Sequence, residues 1–462
     1  MTMVQSDAAK DAPDAPGTGD GHPRDDSTLG GSARVVAGSD GWLARLVSWP
    51  TVHGATLAVG LVILMVHNRH QWFWGDEWAF IADRGPGLGD MRLFEPHNEH
   101  WSTLPVLVYW ALLSTVGLSS YLPYAAVAVV AHLGLAHLLW RACLRAGARP
   151  AIATGAAGIF VVLGAGAENL LWAFQMGFVG AVAFGWAAVL LVDHDGGFGR
   201  RDVAGWVALV AGLMCSGPAL VMVGVAALTV WLRRRRLVDA VLVASVPLAT
   251  FAVWWLAQGR HAQTGVDTST EDQWRLVDWA WTGLTHATEA IVGIPETGGL
   301  LVVALLAWWA LHLDEASGRR SLAAASAVGA LAFYLLTGTG RVGLGMGSAT
   351  AGRYVYIAAA LLLPTATLAL SRAVPDTVAA TVFVLTVCAL VAFHNLGLLR
   401  DETSNQLNDE GRLRHVVMTS LDQLRAGEQL DSADWNWLLK YNPNLSPQDL
   451  ARIDDYDWLP AT

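Results

Sequence analysis

The stretch WFWGDEWAF, Trp72 to Phe80, sets two adjacent carboxylates, Asp76 and Glu77, among large aromatic rings. A carboxylate withdrawn from water loses solvation of its charged form, so its pKa rises toward the range where it serves as a general base. Adjacent residues rarely point at one substrate. One of the pair would therefore be the base, and the other would support it or bind a cation. The rival reading is a solvated acidic pair beneath an interfacial belt of Trp72, Trp74 and Trp78. A second cluster follows in EPHNEHW, Glu95 to Trp101. Its His97, Asn98, Glu99 and His100 offer donors and acceptors suited to sugar hydroxyls and phosphate oxygens. His97, Glu99 and His100 could also hold a divalent cation, although HExxH is absent and no further ligand set is evident. In GAENLLWAFQ, Gly166 to Gln175, the residues Glu168, Trp172 and Gln175 are spaced by four and three, which is one face of a helix. That face, with Asn169 beside it, combines a carboxylate, a stacking plane and an amide, a set that suits a carbohydrate. Capping of two membrane helices is the rival here. The fourth cluster, TGTGRVGLGMGSATAGRY, Thr337 to Tyr354, places Arg341, Arg353 and Tyr354 among glycines.

The elements that must position these clusters are membrane helices. The chain has 462 residues, 54% of them hydrophobic and 15% charged. Its apolar residues gather in nearly uncharged runs close to the length of a bilayer crossing, rather than in the short periodic patches of a soluble domain. The fold class is all-α, a polytopic helical membrane protein. Eleven spans are predicted, near 49–67, 121–142, 152–166, 176–193, 203–216, 218–232, 237–257, 291–312, 321–337, 352–372 and 377–398. The formal net charge of −10 comes largely from acids in the two tails and says little about partners. Cys143, Cys215 and Cys388 lie in or beside apolar runs and read as small membrane residues, not as a disulfide framework. No phosphate-binding loop of the Walker type, no paired CxxC and no internal repeat is visible.

Arginines set the topology. Connections after spans two, four, six, eight and ten carry Arg141/Arg145/Arg149, Arg200/Arg201, Arg233 to Arg236, Arg319/Arg320 and Arg372. Every second loop is basic, which makes those five cytoplasmic and the N-terminus cytoplasmic with them. All four chemical clusters then fall on the extracytoplasmic side, along with the loop 258–290 and the C-terminus. Leu104 to Leu118 is short, and counting it as a span would reverse every later arginine loop. It is read as a juxtamembrane helix within a first outer loop of residues 68–120. Residues 1–45 are polar and expected to be disordered, and the transmembrane domain covers 46–398. A small helical tail covers 399–462, with an apolar stripe of Leu413, Val416, Val417, Leu421 and Leu424 and a helix starting at Ser446-Pro447.

The motifs GDEW, HNEHW, ENLLWAFQ and GRVGLG…AGRY, in this order, resemble those of a bacterial branch of the GT-C membrane glycosyltransferases. Members of that branch show an acidic pair after the first span, then HNEHR, ENxLWGFQ, and GRxGxG with a later SRY. This chain has Trp101 where Arg is usual, which bears on acceptor contacts, and Gly352 where Ser is usual. The resemblance covers Trp72 to Tyr354. It implies a polyprenyl-phosphate sugar donor, a glycan, glycolipid or protein acceptor in the cell envelope, and Asp76 as the base, with Glu77 in support. A glycosidase needs a second carboxyl to protonate its leaving alcohol, whereas a polyprenyl phosphate leaves as a stabilised anion. That departure calls for positive charge, which Arg341 and Arg353 supply, in a loop whose glycines let backbone approach a phosphate. Anchoring of span ends to lipid headgroups is the rival role for these arginines. The reaction implied is inverting transfer in a bacterial-type plasma membrane, needing no nucleic acid and no certain cofactor. Other functions consistent with the sequence are a transporter or flippase of lipid-linked glycans, or a non-catalytic envelope scaffold. Acids near span centres, which would favour a transporter, are scarce.

Overall fold

The computed structural model describes residues 48–87, 89–262, 270–312, 316–441 and 445–459. The N-terminal stretch expected to be disordered lies outside them. Among the described residues no strand forms, and the helices run in chain order as follows. The first five are α1 (Trp49–Asn68), α2 (Asp76–Ala82), α3 (Thr103–Thr115), α4 (Leu122–Ala146) and α5 (Pro150–Val161). Next come α6 (Glu168–Leu171), α7 (Met176–Val192), α8 (Arg200–Leu213), α9 (Ala219–Arg234), α10 (Leu237–Ala257) and α11 (Thr270–Gln273). The last seven are α12 (Leu276–Val292), α13 (Gly298–Leu311), α14 (Ser321–Arg341), α15 (Gly352–Ala373), α16 (Val378–Ala426), α17 (Ser432–Tyr441) and α18 (Pro447–Asp455).

Seven of these helices, α1, α4, α7, α10, α14, α15 and α16, are long and apolar enough to cross a membrane, α7 and α14 together with the short turns continuous with them. The chain is a multi-pass helical membrane protein. The other four segments read as spans form helices of only 12 (α5), 14 (α8), 16 (α9) and 14 (α13) residues. At 1.5 Å per residue these reach about 18–24 Å, short of a full hydrocarbon core of about 30 Å. At 13 residues, α3 is likewise short of that length.

Two stretches differ from expectation. Part of the supposed loop 258–290 is the 17-residue helix α12. Trp279, Gly283 and Ala287, with Ala280, Leu284 and Thr288, repeat at intervals of four and form its buried stripe. The following helix begins at Gly298 rather than at 291, because Gly293 ends α12 in the left-handed region at φ 72° and Pro295 follows. The last span does not stop near 398 either. It continues unbroken to Ala426, making α16 a single helix of 49 residues, about 74 Å long.

The five basic connections gather at one end of the bundle. Asp193, fully buried after α7, takes Arg145 Nε at 2.7 Å from the last turn of α4 and Arg233 Nη1 at 2.9 Å from the end of α9. Arg233 also donates to the Gly318 carbonyl before α14 at 3.2 Å. Arg234 reaches buried Asp202 at 2.6 Å, and Arg149 donates to the Val374 carbonyl at 3.0 Å, between α15 and α16. These arginines are therefore structural clamps.

At the other end a second core forms outside the main bundle core. Trp72, Phe73, Trp78, Phe80 and Tyr109 from the first loop pack with Leu413, Val416, Val417 and Leu421 of α16 and with Leu450, Ile453 and Trp458 behind them. The tail stripe read from the sequence is thus buried against the loop that carries Asp76, with Leu424 partly buried. α18 starts as its sequence dictates, with Ser446 capping Asp449 N at 3.1 Å and Pro447 in the first turn.

Removing Asp193 takes from Arg233, whose side chain is only 4% exposed, its buried carboxylate partner and leaves it Asp195, which is 81% exposed. Asp193→Ala should cost about 3–5 kcal/mol, far more than Asp195→Ala. Unfolding of both variants in detergent checks this; equal effects would remove the clamp role.

Candidate active site

The segment Trp72–Glu77, which runs into the start of α2, is held so that its two carboxylates part company. Gly75 precedes α2 at φ 56°, and a Cβ there would stand 3.3 Å from the Trp172 ring, so glycine serves both the turn and the contact. Asp76 then opens the helix, exposed and lining a cavity. Glu77 turns inward and is fully buried. It accepts the Trp74 backbone N–H at 3.1 Å and a short bond from the Tyr109 hydroxyl, with Trp172 and Tyr121 facing the same carboxyl. Burial pushes its pKa up to about 8 against those opposing hydrogen bonds. The burial expected to tune a base at Asp76 therefore falls on Glu77, a neutral acid near pH 7, while Asp76 is the one that reaches the cavity.

A residue that sequence reasoning passed over holds the same segment from the tail. Glu410 of α16 is buried and accepts the Trp72 backbone N–H at 2.8 Å. Burial, followed by the nearby Glu77, drives its pKa up to about 9, although the Trp72 bond opposes the rise. The signal was present, since Glu410 sits three and seven residues before Leu413 and Val417 on the buried stripe.

HNEH is a four-residue turn closed by reciprocal backbone bonds, His97 N to His100 O and His100 N to His97 O, both 3.0 Å. Asn98 occupies φ 51°, which asparagine tolerates better than most residues. The turn buries His97 edge-on between Phe80 and Phe174, with centroids at 5.0 and 5.4 Å, and lifts Glu99 and His100 toward α14. Burial lowers the His97 pKa to about 3, aided by Arg84 and His100, so this ring stays neutral. Burial also lowers that of His100. Glu99 engages Arg341 in a short ion pair. These commitments pull His97 and Glu99 apart as metal ligands. Among the described residues no three His, Cys, Asp or Glu side chains are grouped to hold a metal ion. Trp101, standing where the resembled motif has Arg, stacks on Trp254 of α10 at 5.2 Å with planes 3° apart.

ENLLWAFQ is not the continuous helix face that its spacing predicts. α6 lasts one turn, Trp172 is extended at φ −97°, ψ 106°, and a tight turn over Ala173–Gln175 follows. Trp172 and Gln175 face the cavity, whereas Glu168 and Asn169 do not. Glu168 instead pairs with Arg353 Nη1 at 2.6 Å and accepts its backbone N–H at 3.1 Å, and Asn169 donates to the Arg353 carbonyl at 3.4 Å.

The glycine-rich loop also differs. α14 runs through Thr337, Gly338 and Gly340 to Arg341, and tight turns carry the chain on to Ala351. Of its glycines only Gly340 lines the cavity; Gly338 packs on Leu276 and Trp279, and Gly345 turns the chain at φ 91°. The side chains of Arg341 and Arg353, rather than glycine backbone, are what the cavity offers an anion.

The product is one hollow of about 320 Å³ that brings together Asp76, the turn His97–His100, Trp101, Trp172, Gln175, Arg341, Arg353 and Tyr354. Its size suits a small polar group such as a sugar. Comparison with family models, curated proteins and solved structures finds no match to this chain. The cavity's chemistry must therefore be read from its own residues. Its wall also includes Cys215 to Pro218, the turn between α8 and α9, which has no titratable cluster to mark it in sequence; a Cβ on Gly217 would stand 3.0 Å from His100 Nδ1. The cysteines are free thiols, with Cys143 and Cys215 buried.

Glu77 and Glu410 have folded-state pKa values above the ordinary 4.5. Their contribution to stability is complete below pH 4.5, falls as pH rises, and levels off above about pH 8 for Glu77 and pH 9 for Glu410. The melting midpoint in detergent should drop between pH 6 and pH 9, and the Glu77→Gln/Glu410→Gln double variant should flatten that slope. An unchanged slope would remove both groups from the pH response.

Proposed function

We propose that the protein is an inverting membrane glycosyltransferase that moves a sugar from a polyprenyl-phosphate donor to an envelope polysaccharide, glycolipid or protein. The observation that carries the reading is the meeting of four sequence-distant motifs at one cavity, with an exposed carboxylate, Asp76, and two guanidinium groups on its wall. The GT-C resemblance of those same motifs supports it. In this reading the positive-inside rule makes the arginine-clamped end cytoplasmic. The chain then crosses eleven times, the four short helices included, with the N-terminus inside and both cavity and C-terminus outside.

The acceptor hydroxyl oxygen attacks the anomeric carbon as its proton passes to the Asp76 carboxylate. The bond from that carbon to the phosphate oxygen breaks, and its electron pair leaves with polyprenyl phosphate. Arg341 and Arg353 stabilise the charge that develops on that oxygen. Glu99 and Glu168 hold the two guanidinium groups in place before donor arrives. Glu77, neutral and buried, positions the start of α2 instead of exchanging protons with substrate. Trp172 and Gln175 contribute a stacking plane and an amide for the sugar.

Purified protein in lipid, given a panel of radiolabelled polyprenyl-phosphate sugars, provides the test. Asp76→Asn should lower transfer by about 10²–10⁴-fold, the usual worth of a positioned general base, with donor binding retained. Donor movement between leaflets without turnover in the native protein would replace the enzyme reading with a flippase.

A further inference from the structure

Arg84, two residues past the end of α2, is a buried cation that none of the described carboxylates neutralises. The residue is only 8% exposed. Its Nη1 donates to the Phe80 carbonyl at 2.9 Å, and the guanidinium lies over the Phe80 ring at 4.1 Å. Nε is buried and has no hydrogen-bond partner. Asp83 and Glu95 act on the group from nearby, but both are exposed, and Glu95 pairs instead with Arg92 at 3.7 Å. Burial pulls the Arg84 pKa down to about 10 against those two carboxylates, which still leaves it charged at neutral pH. By contrast Arg233 and Arg234, as deeply buried, each hold a fully buried aspartate. A guanidinium withdrawn from water with an N–H unpaired is costly unless an anion joins it.

Beside this guanidinium lies a hollow of about 10 Å³, with Phe80, Met91, Tyr109, Trp110 and Trp458 on its wall. That is room for one water-sized sphere. Of the described residues that line it, Arg84 alone is charged. A water molecule there would seek two to four polar partners. The Tyr109 hydroxyl, however, is turned to Glu77, and the Trp110 N–H donates to the Pro86 carbonyl at 2.9 Å. A monatomic anion asks only for positive charge and a donor, and the guanidinium supplies both. Phosphate, sulfate and carboxylates are too large for the space.

We propose that Arg84 and this hollow form a binding site for a single halide ion, chloride in natural surroundings. The ion accepts the Nε–H of Arg84 and compensates the guanidinium charge. The site lies one ring behind the main cavity. Phe80 carries Arg84 on its face and also stands in the cavity wall, edge-on to His97 at 5.0 Å. A bound halide therefore stabilises the packing of α2 against the HNEH turn. This role needs no transferase chemistry, and it stands or falls apart from it.

The experiment follows thermal unfolding of the full-length protein in detergent, with sodium chloride exchanged for sodium gluconate at constant ionic strength and pH. It compares native protein, Arg84→Leu, and Arg92→Leu as a control at an exposed neighbouring arginine. Native protein and Arg92→Leu should melt about 2 °C or more higher in chloride, with a dependence on concentration that saturates. Arg84→Leu should lose that difference. Crystals of the native protein grown in bromide should show an anomalous peak beside Arg84 Nε, and this measurement decides the matter if Arg84→Leu does not fold. Equal midpoints of the native protein in the two salts would overturn the site, and would mean that Asp83, Glu95 or water satisfies Arg84. An undiminished chloride response in Arg84→Leu, or no bromide peak at Arg84, would overturn it as well.

Discussion

Two carboxylate–guanidinium pairs, Glu99 with Arg341 and Glu168 with Arg353, tie the cavity together. Each joins residues far apart in the chain, and each brings an arginine to a partly buried wall where an unpaired charge would be costly. The pairing settles two things at once. It neutralises the guanidinium groups, and it fixes their orientation at the cavity wall. The HNEH turn and the broken α6 are the means by which the backbone delivers the two carboxylates.

The same constraint, that charge in a low-dielectric bundle needs a partner, governs the opposite end. There Asp193 and Asp202 gather arginines from successive connections, so that loops brought together only by folding become one network. The helices between the two networks are mostly Ala, Val, Leu and Gly and carry little polar information. Chemistry is confined to their ends.

The C-terminal tail has a larger part than its sequence suggests. α16 leaves the apolar bundle without a break and packs its stripe against the aromatic residues around Asp76. Glu410 then grips the backbone of Trp72, four residues before Asp76. The position of the candidate base therefore depends on a residue more than three hundred positions away. Glu77 and Glu410 achieve this as buried acids whose neutral forms are favoured.

The sequence by itself determined the helical membrane class, the alternation of basic connections, the tail stripe, the start of α18, and the clusters that meet at the cavity. These follow from local composition and from charge asymmetry, which act residue by residue. It did not separate Asp76 from Glu77, because neighbours on a helix have identical sequence surroundings and only tertiary packing makes one exposed and the other buried. It misjudged the face shared by Glu168, Trp172 and Gln175, since spacing assumes a continuous helix and the chain breaks at Trp172. It read α12 as loop, where a four-residue repeat of Trp, Gly and Ala was masked by polar residues between. Tertiary structure alone decided the pairing of the arginines, the use of the Cys215–Pro218 turn as cavity wall, and the role of Glu410. Each of these depends on which segment lies opposite another in space, and that is set by packing of the whole bundle.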